Sequence, residues 1–65
     1  MKAWIAYKYV EDFCGDSLYY LVKDTILPVW SIHRSNAKII YSKRLANELL
    51  KKYESMGLQI EEITL

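Results

Sequence analysis

Residues 41–65 read YSKRLANELLKKYESMGLQIEEITL, and the fold turns on this stretch. Ser42 is a natural helix N-cap, since its hydroxyl can accept one of the backbone N–H groups that the first turn leaves unpaired. Position 45 is Leu rather than Glu or Gln, so the reciprocal half of a capping box is missing. Leu45, Ala46, Leu49, Leu50, Tyr53 and Met56 then recur at spacings of three and four and form one apolar stripe. Lys43, Arg44, Asn47, Glu48, Lys51, Lys52 and Glu54 fill the other face, with Glu48 and Lys52 in the favourable i,i+4 order. Gly57 falls where a left-handed C′ residue belongs, and Leu58 after it is placed to touch Tyr53. LQIEEITL follows as a closing strand whose apolar phase slips at Glu61-Glu62, which predicts a bulge or a strand end there.

Upstream, KAWIAYKYV (2–10) alternates along a strand. Ala3, Ile5, Tyr7 and Tyr9 share one face, and Trp4, Ala6, Lys8 and Val10 share the other. Gly15-Asp16 signals a turn, and LYYLVKDTI (18–26) is a second strand, so the two form an antiparallel hairpin. Pro28 interrupts, because it has no N–H for a ladder. VWSIH (29–33) and AKIIY (37–41) read as short third and fourth strands around an Arg34-Ser35-Asn36 loop. The expectation is one α+β domain over 1–65. A small antiparallel sheet of four to five strands is packed by one C-terminal helix, in the order β-β-β-β-α-β and in two layers.

A chain of 65 residues buries only about 60% of its unfolded surface, so its core must be dense. Hydrophobic residues make up 52% and aromatics 14%, a folding composition. The net charge of +1 argues against a strongly basic nucleic-acid binder or an acidic DNA mimic. Cys14 is the single cysteine, so the chain can make no internal disulfide and no cysteine-based zinc site. The start, MKAWIAYKYV, lacks the apolar core of a signal peptide, and no apolar run approaches the ~20 residues of a membrane span. A cytoplasmic setting with no membrane contact is expected.

A helix of about fourteen residues is ~21 Å long and shields one face of a small sheet. The first two strands carry large side chains on both faces. Tyr19 and Tyr20 are adjacent, so they point to opposite sides. Some rings should therefore stay exposed. They are either tyrosines tolerated on a half-exposed sheet or a contact surface, since interfaces favour Tyr and Trp.

The residues carry no catalytic signature. His33, the one histidine, lies between Ser31 and Ser35, but neither serine has a glycine elbow and no acid is placed to orient the ring. Cys14 sits among Glu11, Asp12 and Asp16, neighbours that discourage a thiolate, and reads as a small filler residue or an inert turn cysteine. Those acids lack the oxygen spacing of a calcium loop. Glu61 and Glu62 face opposite ways on a strand and cannot act as a pair. No catalytic residue, metal or cofactor is expected, and none is assigned.

At AKIIYSKRLANELLKKY the chain resembles small accessory proteins of phages and prophages. In these an Ala-Lys-x-Φ-x-Ser/Thr-Lys-x-x-Ala-x-x-Φ-x-x-x-Φ pattern, Φ being apolar, follows a Tyr-rich hairpin. Here Ala37, Lys38, Ile40, Ser42, Lys43, Ala46, Leu49 and Tyr53 carry it, and the resemblance spans residues 18–63. It implies a setting: small inhibitors of host enzymes or defence systems, anti-CRISPR proteins among them.

The expected function is a non-enzymatic protein-binding module that modulates or inhibits a host protein by occlusion. Tyr7, Tyr9 and Tyr19 on the face the helix leaves bare are the first candidate contacts, followed by Trp30, His33 and Arg34. One alternative is a single-stranded nucleic-acid module using Lys43, Lys51 and Lys52. Another is a structural subunit of a homo-oligomer, and an edge-strand or face-to-face homodimer fits the same facts and would help the small core.

Overall fold

The computed structural model describes residues 1–13 and 15–65, so the readings of Cys14 and of the Asp12 side chain lie outside it. Among the described residues the chain runs β1 (Lys2–Asp12), β2 (Gly15–Lys23), β3 (Val29–Ser31), a 3₁₀ turn (Arg34–Asn36), α1 (Lys43–Lys52), a second 3₁₀ turn (Glu54–Met56) and β4 (Gln59–Thr64). The four strands form one antiparallel sheet in the order β3-β2-β1-β4, packed by the single helix. This is the small α+β fold that the periodicities predict. The stretch 37–41 is the exception, since it meets the sheet through an isolated bridge rather than a strand.

The helix ends follow from local chemistry. The Leu45 N–H donates to the Ser42 hydroxyl at 3.5 Å, a long N-cap bond. At the other end Gly57 is left-handed, with φ +73. The Leu58 N–H donates to the Tyr53 carbonyl at 3.4 Å, and the Gly57 N–H donates to the Glu54 carbonyl at 3.0 Å. Those two bonds are the Schellman pair, and Leu58 and Tyr53 are buried in one cluster. The helix is shorter than its stripe: α1 closes at Lys52 and the chain tightens into a 3₁₀ turn before Gly57. Lys52 does not take the i,i+4 partner expected of it. Glu48 lies 4.0 Å from Arg44, while Lys52 reaches Asp24 at 2.8 Å.

The helix covers the face of β1 that carries Trp4 and Ala6. Ala6, Leu21, Ile40, Ala46, Leu49, Tyr53 and Leu58 are buried there, with Trp4, Trp30 and Ile60 packed around them. Ile5 and Leu21 are the largest fully buried side chains, each worth about 1.5–3 kcal/mol against exposure.

The second face is not bare over its whole area, contrary to expectation. The connector between β3 and α1 crosses it, and Ala37 and Ile39 pack with Ile5, Tyr20, Tyr7, Leu18 and Ile63. The connector then enters the sheet. Pairing of β1 with β2 extends from Asp12↔Gly15 only to Tyr7↔Tyr20. Beyond that point the Lys38 N–H donates to the Leu21 carbonyl, and Ile40 and Trp4 exchange two backbone bonds, all at 2.8 Å. Ile40 thereby reaches the helix-side core, which is why an apolar AKIIY segment need not be a strand.

No bulge occurs at Glu61-Glu62. The β1–β4 register is continuous from Lys2↔Thr64 to Tyr7↔Gln59, and the irregularity falls instead between Leu21 and Lys23 on the β3 side. Each glutamate takes a cation on its own face: Glu62 meets Lys2 at 3.3 Å and Glu61 meets Arg34 at 2.6 Å.

Candidate functional site

The strands differ in length, and a site follows from that. β4 pairs only with residues 2–7 of β1, and β3 pairs only with residues 20–23 of β2. The outer half of the hairpin, residues 8–12 against 15–19, therefore has no third strand on either side. It forms a two-stranded arm of a molecule whose overall extents, arm included, are 38 × 22 × 17 Å. A two-stranded ribbon alone is marginal in water, so its rigidity must come from its base.

The base is a ring cluster. Tyr7 and Tyr9 meet edge to face at 5.9 Å, and Tyr7 lies 6.3 Å from its cross-strand partner Tyr20. The Tyr7 hydroxyl donates to Gln59 Oε1 at 3.3 Å. On the opposite face Lys8 Nζ sits 4.1 Å above the Trp30 ring, which contacts Tyr53 edge to face at 6.0 Å. Aromatic pairs of this kind contribute about 0.5–1.5 kcal/mol each beyond their area.

Past the base the arm is open. Tyr9 is 58% exposed opposite a half-buried Leu18, and Phe13 at the tip is fully exposed. Glu11 lies directly opposite Asp16, and neither has an ion-pair partner among the described residues. Like charges facing across a strand pair destabilise it, so the arm carries an apolar patch beside uncompensated negative charge.

The six candidate contact residues do not form one surface. Tyr7 and Tyr9 share the face that the helix leaves, as expected, but Tyr19 is opposite Lys8 and points to the helix side. Trp30 is half-buried in the helix-side core. His33 is exposed and unassociated with the arm, its N–H donating to Ser31 Oγ at 3.1 Å. Arg34 is held by Glu61 through two bonds of 2.6 and 3.1 Å. That contact raises the Arg34 pKa and holds the Glu61 carboxyl below its usual range. The three lysines also separate. Lys52 is bound to Asp24, and Lys43 and Lys51 stand about 12 Å apart along the helix at 1.5 Å per residue.

A second feature escaped the sequence reading. An apolar groove of about 380 Å³ runs between the connector and α1. Ile40 and Leu49 are buried at its floor, and Tyr41 and Leu45 stand 62% and 47% exposed on its walls. Asp24 closes one end, accepting from Lys52 Nζ at 2.8 Å and from the Tyr53 hydroxyl at 2.7 Å. The Lys52 bond, then the Tyr53 bond, hold the Asp24 carboxyl below its ordinary pKa, while Asp24 raises both Lys52 and Tyr53. The signal was scattered over three segments, and only the wedged connector brings them together.

Among the described residues no group of three or more His, Cys, Asp or Glu side chains could hold a metal ion, and no helix is long and apolar enough to cross a membrane. Comparison with known proteins returns nothing: no family model matches the chain, and no curated protein or solved structure is significantly similar to it.

Proposed function

We propose that this chain is a small protein-binding module that docks through its hairpin arm and acts by contact rather than by catalysis. The observation that carries the reading is the arm itself: among the described residues, strand segments 8–12 and 15–19 have no strand partner but each other, and the arm presents Tyr9 and Phe13 beside a half-buried Leu18. Interfaces are built around such rings, and a rigid base reduces the ordering cost of binding. The Glu11–Asp16 pair beside these rings favours a partner surface with an apolar hollow rimmed by Lys or Arg. The same negative charge weighs against the nucleic-acid alternative, because phosphates would meet carboxylates at the arm. The phage-type resemblance supplies the setting, a small inhibitor that occludes a host protein or defence component in the host cytoplasm.

The test is affinity capture from a bacterial lysate with four chains side by side. The wild type and a Lys51→Glu, Lys52→Glu variant should retain the same protein, and Tyr9→Ala and Phe13→Ala should lose it. Salt-sensitive retention of the wild type on single-stranded DNA or RNA, abolished by the lysine changes, would overturn this reading in favour of the nucleic-acid module.

A further inference from the structure

The groove and the loop after β2 form a hole and a knob on one chain. Ile26 and Leu27 are 99% and 81% exposed, side by side in the β2–β3 loop. Two adjacent aliphatic side chains so far out of a small fold call for a cover. They do not enter their own groove. Asp24 pins the base of the loop to Lys52 and Tyr53, and the Thr25 hydroxyl donates to the Leu27 carbonyl at 2.7 Å, holding the turn with both side chains in solvent.

We propose that the chain forms a two-fold dimer in which the Ile26–Leu27 loop of each copy fills the groove of the other. The proximity of knob and hole makes this a closed pair. Asp24 lines the groove and is two residues from Ile26, so at most about 8 Å separates the two along the chain at 3.8 Å per Cα step. A knob beside its complementary hole can be exchanged reciprocally about one axis, whereas a head-to-tail contact closes into a ring or propagates into a filament. The exposed apolar surface is matched on both sides: Ile26 and Leu27 on the knob are 99% and 81% exposed, and Tyr41 and Leu45 on the groove walls are 62% and 47% exposed. A second copy also compensates for a core limited by chain length. The proposal is independent of the arm, which lies at the opposite end of β2.

Light scattering coupled to size exclusion, run from micromolar to millimolar chain concentration, tests it. The wild type should reach twice the mass of one chain. Ile26→Asp with Leu27→Asp should stay at one chain mass with an unchanged circular-dichroism spectrum, since both side chains are in solvent. Leu45→Glu, which charges the hole, should weaken association more than tenfold, and Tyr9→Ala should leave it intact. A wild type at one chain mass throughout overturns the dimer, and so does a double variant that still pairs. If the monomeric wild type instead binds an apolar naphthalene-sulfonate dye at Leu45 and Tyr41, the groove belongs to a small ligand. Failure here leaves the arm reading standing, because the capture through Tyr9 and Phe13 and the nucleic-acid retention that test that reading do not depend on Ile26 or Leu27.

Discussion

The Tyr53 hydroxyl donates to the Asp24 carboxylate across 2.7 Å, joining the end of α1 to the loop that leaves β2. Asp24 also accepts from Lys52, so one carboxylate closes the groove, seats the loop and fixes the helix. Removing it takes the carboxylate acceptor from the partly buried Tyr53 hydroxyl. Asp24→Ala should therefore cost about 1–2 kcal/mol, and Tyr53→Phe, which deletes only the donor, about 0.5–1.5 kcal/mol. Urea denaturation of both variants checks this. Equal stability of Asp24→Ala and wild type would show that the clamp contributes nothing.

The same carboxylate gives the fold a pH dependence of known sign. Lys52 first and Tyr53 second lower the folded pKa of Asp24, and Arg34 lowers that of Glu61. Between the ordinary carboxylate value of about 4 and the lowered value, the unfolded chain binds a proton that the folded chain does not. The stabilisation is thus complete above the ordinary value and is lost as pH falls through the folded one. Denaturation midpoints followed from neutral to strongly acid pH should drop in that window. The drop should be shallower for Asp24→Asn combined with Glu61→Gln, and an unaltered slope would refute the assignment.

Hydrogen exchange should resolve the wedge from the arm. Ile40 and Trp4 exchange backbone bonds inside the sheet, beside side chains of the main core. Their amides should be among the slowest, although 37–41 is not a strand. Amides of residues 8–12 and 15–19 open without disturbing β3 or β4 and should exchange much faster. Uniform protection over β1 would mean that the arm is not a separate unit.

The helix and its ends were legible because capping is local. Ser42, Gly57 and the Tyr53–Leu58 contact need only a few residues of context. The strands were legible from alternation, and adjacency alone put Tyr19 and Tyr20 on opposite faces. Strand pattern does not say which face the helix takes. That choice depends on where the connector passes, and the alternation of AKIIY suits a strand and a wedge equally well. The Glu61-Glu62 slip misled because this edge strand turns one glutamate to each face, where Arg34 and Lys2 take the charges without a break in the register. The arm was not legible, because alternation read the strands as 2–10 and 18–26, whereas they run to Asp12 and from Gly15 and so pair beyond the reach of β3 and β4.

A charge on the arm should separate stability from binding. Glu11 faces Asp16 across the hairpin, and no described cation offsets either. Glu11→Lys replaces repulsion with an opposite-charge pair and should stabilise the fold by about 0.2–1 kcal/mol. A partner surface rimmed by Lys or Arg would then meet a neutralised arm, so the same change should slow association and flatten its salt dependence. Tyr9→Ala should do the reverse, leaving the association rate near wild type while accelerating dissociation, because the ring supplies burial rather than steering. Surface plasmon resonance on the captured partner, alongside thermal melts of the free domain, reads both effects. A Glu11→Lys chain that is more stable and binds just as fast would remove the negative charge from the recognition and leave the rings alone to account for it.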